Sequence, residues 1–275
     1  MNILKRLATL VFVLLLVGGC MDKPLYNDKK FFMGTVVEVI SPYKEAAGIV
    51  FTEIERVEKV FSIYRDDSSV AHLNKTGFLN TNFEVCLLVK KAEKFYELTG
   101  GEFDITVAPL SRVWKEAFKE KRIPSESEIN SALALVGFKK IGVDIKNNNI
   151  KFNQRNMQVD FGAFAKGYAV DCAVKALKEG GVDSAIINAG GDIYCLGRKF
   201  GQPWKVGLQH PRDKNKLLTD LELKDAAVAT SGDYEQFVEI DGKRYSHIIN
   251  PKTGYSVEND IISVTVVAKD AMTAD

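Results

Sequence analysis

The 275-residue chain is poor in the residues from which most recognisable active sites are built. Its four cysteines, Cys20, Cys86, Cys172 and Cys195, show no CxxC spacing, so a zinc knuckle is not indicated. Once Cys20 is set apart for the reason given below, the remaining three are an odd number. They read as small buried hydrophobes rather than as a disulfide framework. An excess of one charge sign is also missing: 37 basic side chains stand against 36 acidic ones, a formal charge of +1. No general field holds such a chain to nucleic acid, so any anion it binds must be held by locally placed groups. No apolar run approaches the roughly 20 residues that a membrane span requires. Walker A and GxGxxG loops, internal repeats and low-complexity tracts are absent too. What remains, 46% apolar and 27% charged, is the composition of an ordinary globular protein.

The two ends carry information of their own. Lys5 and Arg6 precede Leu7 to Val17, a stretch apolar apart from Thr9, and Gly18, Gly19 and Cys20 follow. That order of charged, apolar and small residues is that of a secretory signal. Because the small-residue site ends on cysteine, VGGC resembles a bacterial lipobox. The expectation is that residues 1–19 are removed and Cys20 is lipidated, which takes the formal charge from +1 to −1 through loss of Lys5 and Arg6. Residues 20–30 are polar and without periodicity, so they read as a lipid-anchored tether to a body that begins near Phe31. At the far end Ala271, Met272 and Ala274 read as the start of a helix cut off at Asp275, which suggests a domain that continues further.

Between the ends, helical and strand patterns segregate. Residues 33–40 (MGTVVEVI) are strand-like. Ala47, Val50, Ile54, Val57 and Phe61 recur at the spacing of an amphipathic helix. A second helix is predicted over 82–98, stopped by Gly100 and Gly101, and a third from the capping box Ser125/Glu128 to about Val136. After Asp144 short strands dominate: 150–153, 157–160, 184–189, 204–208, 226–230, 236–240 and 261–268, interrupted by one helix over about 165–178. Helices and strands do not alternate as βαβ units. The expected fold is therefore α+β, a single large mixed domain with room for two lobes and with glycine-turn loops around one nucleotide pocket.

Four segments offer chemistry. In VDFGAFAKGYAVD (159–171) a strand ends at Asp160, a glycine turn follows, and Lys166 stands in the first turn of a helix, where free amides, the helix dipole and an ammonium suit an anion. A solvated surface lysine is the plainer alternative. INAGGDIY (187–194) is either an approach of main chain to ligand, since Gly190 and Gly191 need no room for Cβ, or a plain hairpin turn. ATSGDYEQF (229–237) presents Ser231, Asp233 and Tyr234 on another small-residue turn. YSHIINPKTGYSV (245–257) sets a turn with Pro251 and Gly254 just after His247. Of the three histidines, His72 and His210 sit in polar surroundings, and His247 is the general-base candidate. With no Ser or Cys paired to it, a hydrolytic triad has little support.

Taken together, MGT at 33–35, Tyr64 in FSIYRDDS, GEFDIT at 101–106, VDFGAFAKG, NAGGD, TSGDYE, HIINPKTG and the terminal AMTAD resemble, in order and spacing, the ApbE family over roughly Phe31 to Asp275. These are FAD:protein FMN transferases, which move FMN from FAD to a Thr or Ser hydroxyl of a target protein using Mg2+. The resemblance implies an FAD site lined by Met33, Tyr64, Glu102, Phe103, Asp104, Asp160, Lys166 and Ile248. It also implies a Mg2+ site made by the Ala163 carbonyl and the Asp275 carboxylate, whose further threonine ligand would fall four positions beyond the last residue. Asn250 departs from the aspartate that many members carry there. On chemical grounds His247 is assigned as base and Lys166 as charge neutraliser. The implied partners are FAD, an acceptor flavoprotein in a membrane redox complex or of exported type, and an extracytoplasmic membrane face reached through the lipid. Two alternatives share these residues: a Mg2+-dependent FAD pyrophosphatase, and a non-catalytic flavin-binding lipoprotein.

Overall fold

A computed structural model describes residues 24–275 apart from 82, 233–236 and 259. The signal segment and Cys20 lie outside the described residues, as do Asp233 and Tyr234. The stretch read as a tether turns out to be partly strand. β1 (Tyr26–Phe32) pairs antiparallel with β2 (Thr35–Ser41) along its whole length, through a turn in which Met33 and Gly34 both have positive φ. Its polar sequence misled because β1 is an edge strand, from which Phe32 alone is buried, so no apolar alternation is demanded.

Six antiparallel strands form the main sheet in the order β1-β2-β6-β7-β10-β13, where β6 is Ala185–Ala189, β7 Asp192–Leu196, β10 Ala226–Gly232 and β13 Ser263–Ala268. Two helices pack against it and against each other, α1 (Ala46–Phe61) and, later in the chain, the helix Ala165–Glu179. The α1 stripe predicted from spacing is the face that goes inside: Ala47, Val50, Ile54, Val57 and Phe61 are all buried. α2 (Ser69–Thr76) is capped by the Ser68 side chain, which accepts from the Ala71 amide, and stops at the left-handed Gly77. α3 (Phe83–Leu98) follows, and a small sheet of β3 (Phe78–Asn80), β5 (Asn149–Phe152) and β4 (Ile141–Asp144) lies beside it.

A second, smaller core is built by α4 (Ala108–Lys119), α5 (Glu126–Leu133) and the hairpin β11 (Phe237–Ile240)–β12 (Lys243–Ser246), around Leu110, Trp114, Ile129, Tyr245 and Ile249. The capping box is formed as predicted, with Ser125 Oγ accepting from the Glu128 amide and Glu128 reaching back to the Ser125 amide. α5 ends at Leu133 rather than Val136, because the chain tightens into turns at Leu135 and Val136. A third cluster, Cys195, Trp204, Leu223 and Val228, seats the hairpin β8 (Trp204–His210)–β9 (Asp213–Leu223). The helix Ala165–Glu179 is α6, and α7 is the single turn Ala271–Ala274. Among the described residues no helix is long and apolar enough to cross a membrane.

One predicted strand is not there. Residues 157–160 take no regular secondary structure and pair with no strand, although Met157 and Val159 are fully buried. Their backbone is satisfied from the side: Asn74 accepts from the Val159 amide at 2.8 Å and donates to its carbonyl at 2.9 Å, and the Asp160 amide donates to the Ile105 carbonyl. A buried irregular segment and a strand share one apolar signature, and a side-chain amide can replace a ladder partner.

The loop after β12 is pinned to the small core at Gly254, which accepts from Trp114 Nε1 at 2.8 Å. Gly254 has φ +77, and a Cβ there would lie 2.6 Å from Ile129 Cγ2. Gly254→Ala is therefore expected to lower stability by about 1–3 kcal/mol, through left-handed strain and overpacking. Denaturant midpoints of the two proteins check this.

Candidate active site

A cleft of about 1270 Å³ opens between the main core and the small one. Its floor is aromatic. Phe103 packs on Phe164 and Phe95 at 5.6 Å, and Phe164 packs on Phe161 at 5.7 Å. These contacts bind the 101–106 loop, α3 and the turn before α6 into one rigid base.

At the start of α6 the chain meets its own carboxylates. Phe164, the residue before the helix, offers no side-chain cap. The Gly167 amide, which would pair with the Ala163 carbonyl if the helix ran one turn further back, instead donates to Asp275 Oδ2 at 2.9 Å. Lys166 Nζ lies 2.7 Å from Asp192 Oδ2 and 3.1 Å from Asp275 Oδ1, and the two carboxylate side chains are 7% and 8% exposed. At this helix terminus the Gly167 amide and the Lys166 ammonium both meet the Asp275 carboxylate. Burial works against the Lys166 ammonium, but Asp192 and Asp275 outweigh it and hold it above the usual lysine range. For Asp275 burial pushes the carboxyl up, against the pull of Lys166 and the Gly167 amide. Two carboxylates share one ammonium, so the ionised trio has one negative charge to spare.

The other predicted residues fall into three groups. Tyr64, Glu102, Phe103, Asp160, Ala163, Lys166, His247, Ile248 and Asp275 all line the cleft. Tyr64 stands exposed at the rim with Lys115 Nζ 4.6 Å above its ring. Glu102 ties the two sides together, accepting from Asn250 Nδ2 at 3.3 Å and from Lys252 Nζ at 2.6 Å. Asn250 keeps the turn through its Oδ1, which accepts from the Lys252 and Thr253 amides. Asp104 also borders the cleft, but both its oxygens are spent inside the fold on Thr106 and the Phe138 amide, so this carboxylate braces the loop. Met33 is the one predicted residue away from the cleft wall: it forms the β1–β2 turn, and its amide donates to Glu58 Oε1 at 2.7 Å.

His247 follows β12 on the small-core wall, and Ser231, at the end of β10, shares the cleft with it. His72 is exposed, and His210 Nδ1 accepts from the Arg212 and Asp213 amides in a tight loop. NAGGD turns out to be both a hairpin and part of the wall. β6 and β7 join there, Asn188 Oδ1 accepts from the Gly191 amide, and Gly190 and Asp192 face the cleft. Sequence reasoning missed Asp192 as a site residue, although an acid placed straight after a glycine turn was a usable signal. It also left α4 without an assignment, so Trp114, Lys115 and Phe118 on the cleft wall were missed. Cys86 and Cys195 are buried and Cys172 is half-buried, all three free, and burial pushes the Cys195 thiol up to about 12.

A large cleft between two cores, with an ammonium-bridged carboxylate pair at its base, is the candidate site, and the relatives named below mark the protein as an enzyme. Comparison gives the family: the model of the ApbE family matches residues 33–275, and the chain belongs to that family. The FAD:protein FMN transferase of Vibrio cholerae is 34% identical across 95% of this chain and 82% of its own length. That of Treponema pallidum is 31% identical across 98% and 82%. Among solved structures, the ApbE protein of Thermotoga maritima aligns with a TM-score of 0.83 at 35% identity, covering 91% of this chain and 84% of that one. The mixed α+β architecture expected from the sequence agrees with that match.

Asp160 offers a test of cleft electrostatics. Burial raises its carboxyl pKa, against a hydrogen bond from the Gly162 amide at 2.8 Å and the field of Lys115. A raised folded-state pKa gives stability that is present below the unfolded value and lost as pH rises through the folded one. Asp160→Asn keeps an oxygen for Gly162 and removes the charge. It is expected to match the parent's melting temperature near pH 4 and to exceed it at about pH 8, with the gap opening through the parent's Asp160 titration. Parallel thermal melts across that range show the gap or its absence.

Proposed function

We propose that this protein transfers the FMN portion of FAD to a Thr or Ser hydroxyl of an acceptor protein, with AMP as the leaving group, and that Mg2+ is required. The observation that carries the reading is the Asp192–Lys166–Asp275 trio at the base of a cleft that also holds His247. Family membership and relatives named FAD:protein FMN transferase support it.

The donor set at the base suits a hard divalent cation. Both carboxylates are oxygen donors converging on one point, the Ala163 carbonyl is not engaged by the Gly167 amide, and the trio's spare negative charge calls for a positive one. Mg2+ is commonly held by one or two carboxylates together with substrate phosphates and water, so a sparse protein donor set fits it. Among the described residues no three His, Cys, Asp or Glu side chains cluster as a ready-made cage. Asp275 and Ala163 would hold the ion, with Asp192 beside them. Bound there, it would neutralise pyrophosphate charge and polarise the phosphorus under attack.

The chain's own groups account for the rest. The acceptor hydroxyl oxygen forms a bond to the FMN-side phosphorus, and the bond from that phosphorus to the bridging oxygen breaks. The electron pair leaves with AMP, and the hydroxyl proton passes to the His247 imidazole. Lys166, kept protonated by its two partners, sets a fixed positive charge where negative charge accumulates. Phe103 and the aromatic floor give a flat apolar surface suited to a ring system, and Tyr64 at the rim provides another. The VGGC motif supports attachment through a lipid on Cys20, and hence an extracytoplasmic acceptor.

Purified protein, FAD, Mg2+ and a candidate acceptor test the proposal. Flavin fluorescence that stays on the acceptor band in a denaturing gel, with AMP in solution, is the expected result. Free FMN without labelling identifies a pyrophosphatase, and intact FAD identifies a binding protein. His247→Ala is expected to bind FAD normally and to lose about 10²–10⁴-fold in transfer; an unchanged rate removes His247 from the mechanism. Lys166→Ala is expected to slow turnover on the order of 100-fold, and parental kinetics would return it to a purely structural role.

A further inference from the structure

Asp275 follows α7 directly and meets both Lys166 and Gly167, so the placement of its carboxylate depends on the placement of α7. Asp270 caps it locally, accepting from the Thr273 amide at 2.9 Å, but that bond shapes the turn without locating it against the rest of the protein.

α7 is buried against β7, β10 and β13, and its first amides are held by α6. Asp171 Oδ1 accepts from the Ala271 amide at 2.7 Å and Asp171 Oδ2 from the Met272 amide at 3.0 Å, so both carboxylate oxygens are spent on the first two amides of α7. Asp171 lies one helical turn beyond Gly167 on the same face of α6. Gly167 makes the fit close: a Cβ there would sit 2.4 Å from the Ala271 carbonyl oxygen and 2.7 Å from Met272 Cα. α6 thus acts as a ruler. Its first turn receives the side chain at the end of α7, and its second turn receives the backbone at the start of α7. We infer that Asp171 is a positioning residue for the Asp275 carboxylate, acting through the first turn of α7 and touching neither FAD nor the cation. This rests on the reading of Asp275 as part of the active centre, and the test separates the two.

The Gly167 amide is the reporter. It lies in the first turn of α6, where backbone amides have no intrahelical partner, so its protection from hydrogen exchange comes from Asp275. In Asp171→Ala, measured on the full chain without FAD or cation, Gly167 exchange is expected to speed up roughly tenfold or more, the effect of losing a hydrogen bond to a charged acceptor. Amides further along α6, at Ala173 and Val174, should keep parental rates. Asp171→Asn retains one acceptor oxygen and is expected to fall between. The second readout is Mn2+ or Mg2+ titration: half-saturation should weaken roughly 10- to 100-fold in Asp171→Ala and recover in part in Asp171→Asn. Parental Gly167 exchange in Asp171→Ala overturns the inference, and so does a uniform acceleration along all of α6, which would mean general loosening. Faster exchange confined to Gly167 with unaltered cation binding upholds the positioning role and overturns Asp275 as a cation ligand.

Discussion

Two carboxylates, Asp192 and Asp275, are buried against a single ammonium, Lys166, and most of the site's architecture answers to that one arrangement. Removing two acidic groups from water is costly, and a buried ion cluster rarely repays that cost in stability. The groups that surround it are those needed to make it tolerable: a helix start whose unpaired Gly167 amide points at Asp275, a positive dipole end, and a lysine held charged by both acids. Stability alone offers no reason to retain a surplus negative charge there.

The arrangement also explains why distant segments of the chain must meet. Asp192 comes from the β6–β7 hairpin, Lys166 from α6 and Asp275 from the end of α7, and each is set by a different kind of contact. The hairpin is fixed by the ladder of the main sheet and by Asn188 closing its turn. α6 is fixed by burial against α1 and the sheet. α7 is fixed by α6 and by burial against β7, β10 and β13 of the main sheet. The other wall has an independent core, and it is joined to the first across the cleft by Glu102, whose carboxylate takes Asn250 and Lys252 together. The amide at position 250 suits that link, since an aspartate there could hold the turn but would repel Glu102.

The parts of this protein that were legible in the sequence are those where one residue pattern has one structural meaning. The α1 stripe, the Ser125/Glu128 box and the glycine-stopped α6 are local signals, and they formed as read. The failures share a cause. β1 is an edge strand with little to bury, 157–160 is buried but satisfied by Asn74, and α4 hides its apolar face in a core assembled from the far end of the chain. In each, the partner that decides the structure is remote in sequence. The site shows the same division. Motifs gave the right segments, but whether an acid faces the cleft, as Asp275 does, or braces a loop, as Asp104 does, depends on which amides happen to lie opposite.

The near balance of charge acquires its meaning at this point. A protein with no overall field gains nothing from long-range attraction for a dianionic pyrophosphate, so binding must come from short-range groups whose positions are fixed. A lysine alone at a helix start would bind such an anion in the ground state as firmly as in the transition state, which lowers the substrate requirement without raising the rate. By occupying Lys166 and the Gly167 amide with its own carboxylates, the protein withholds them from tight ground-state capture. The charge stays protonated and in place at the base of the cleft.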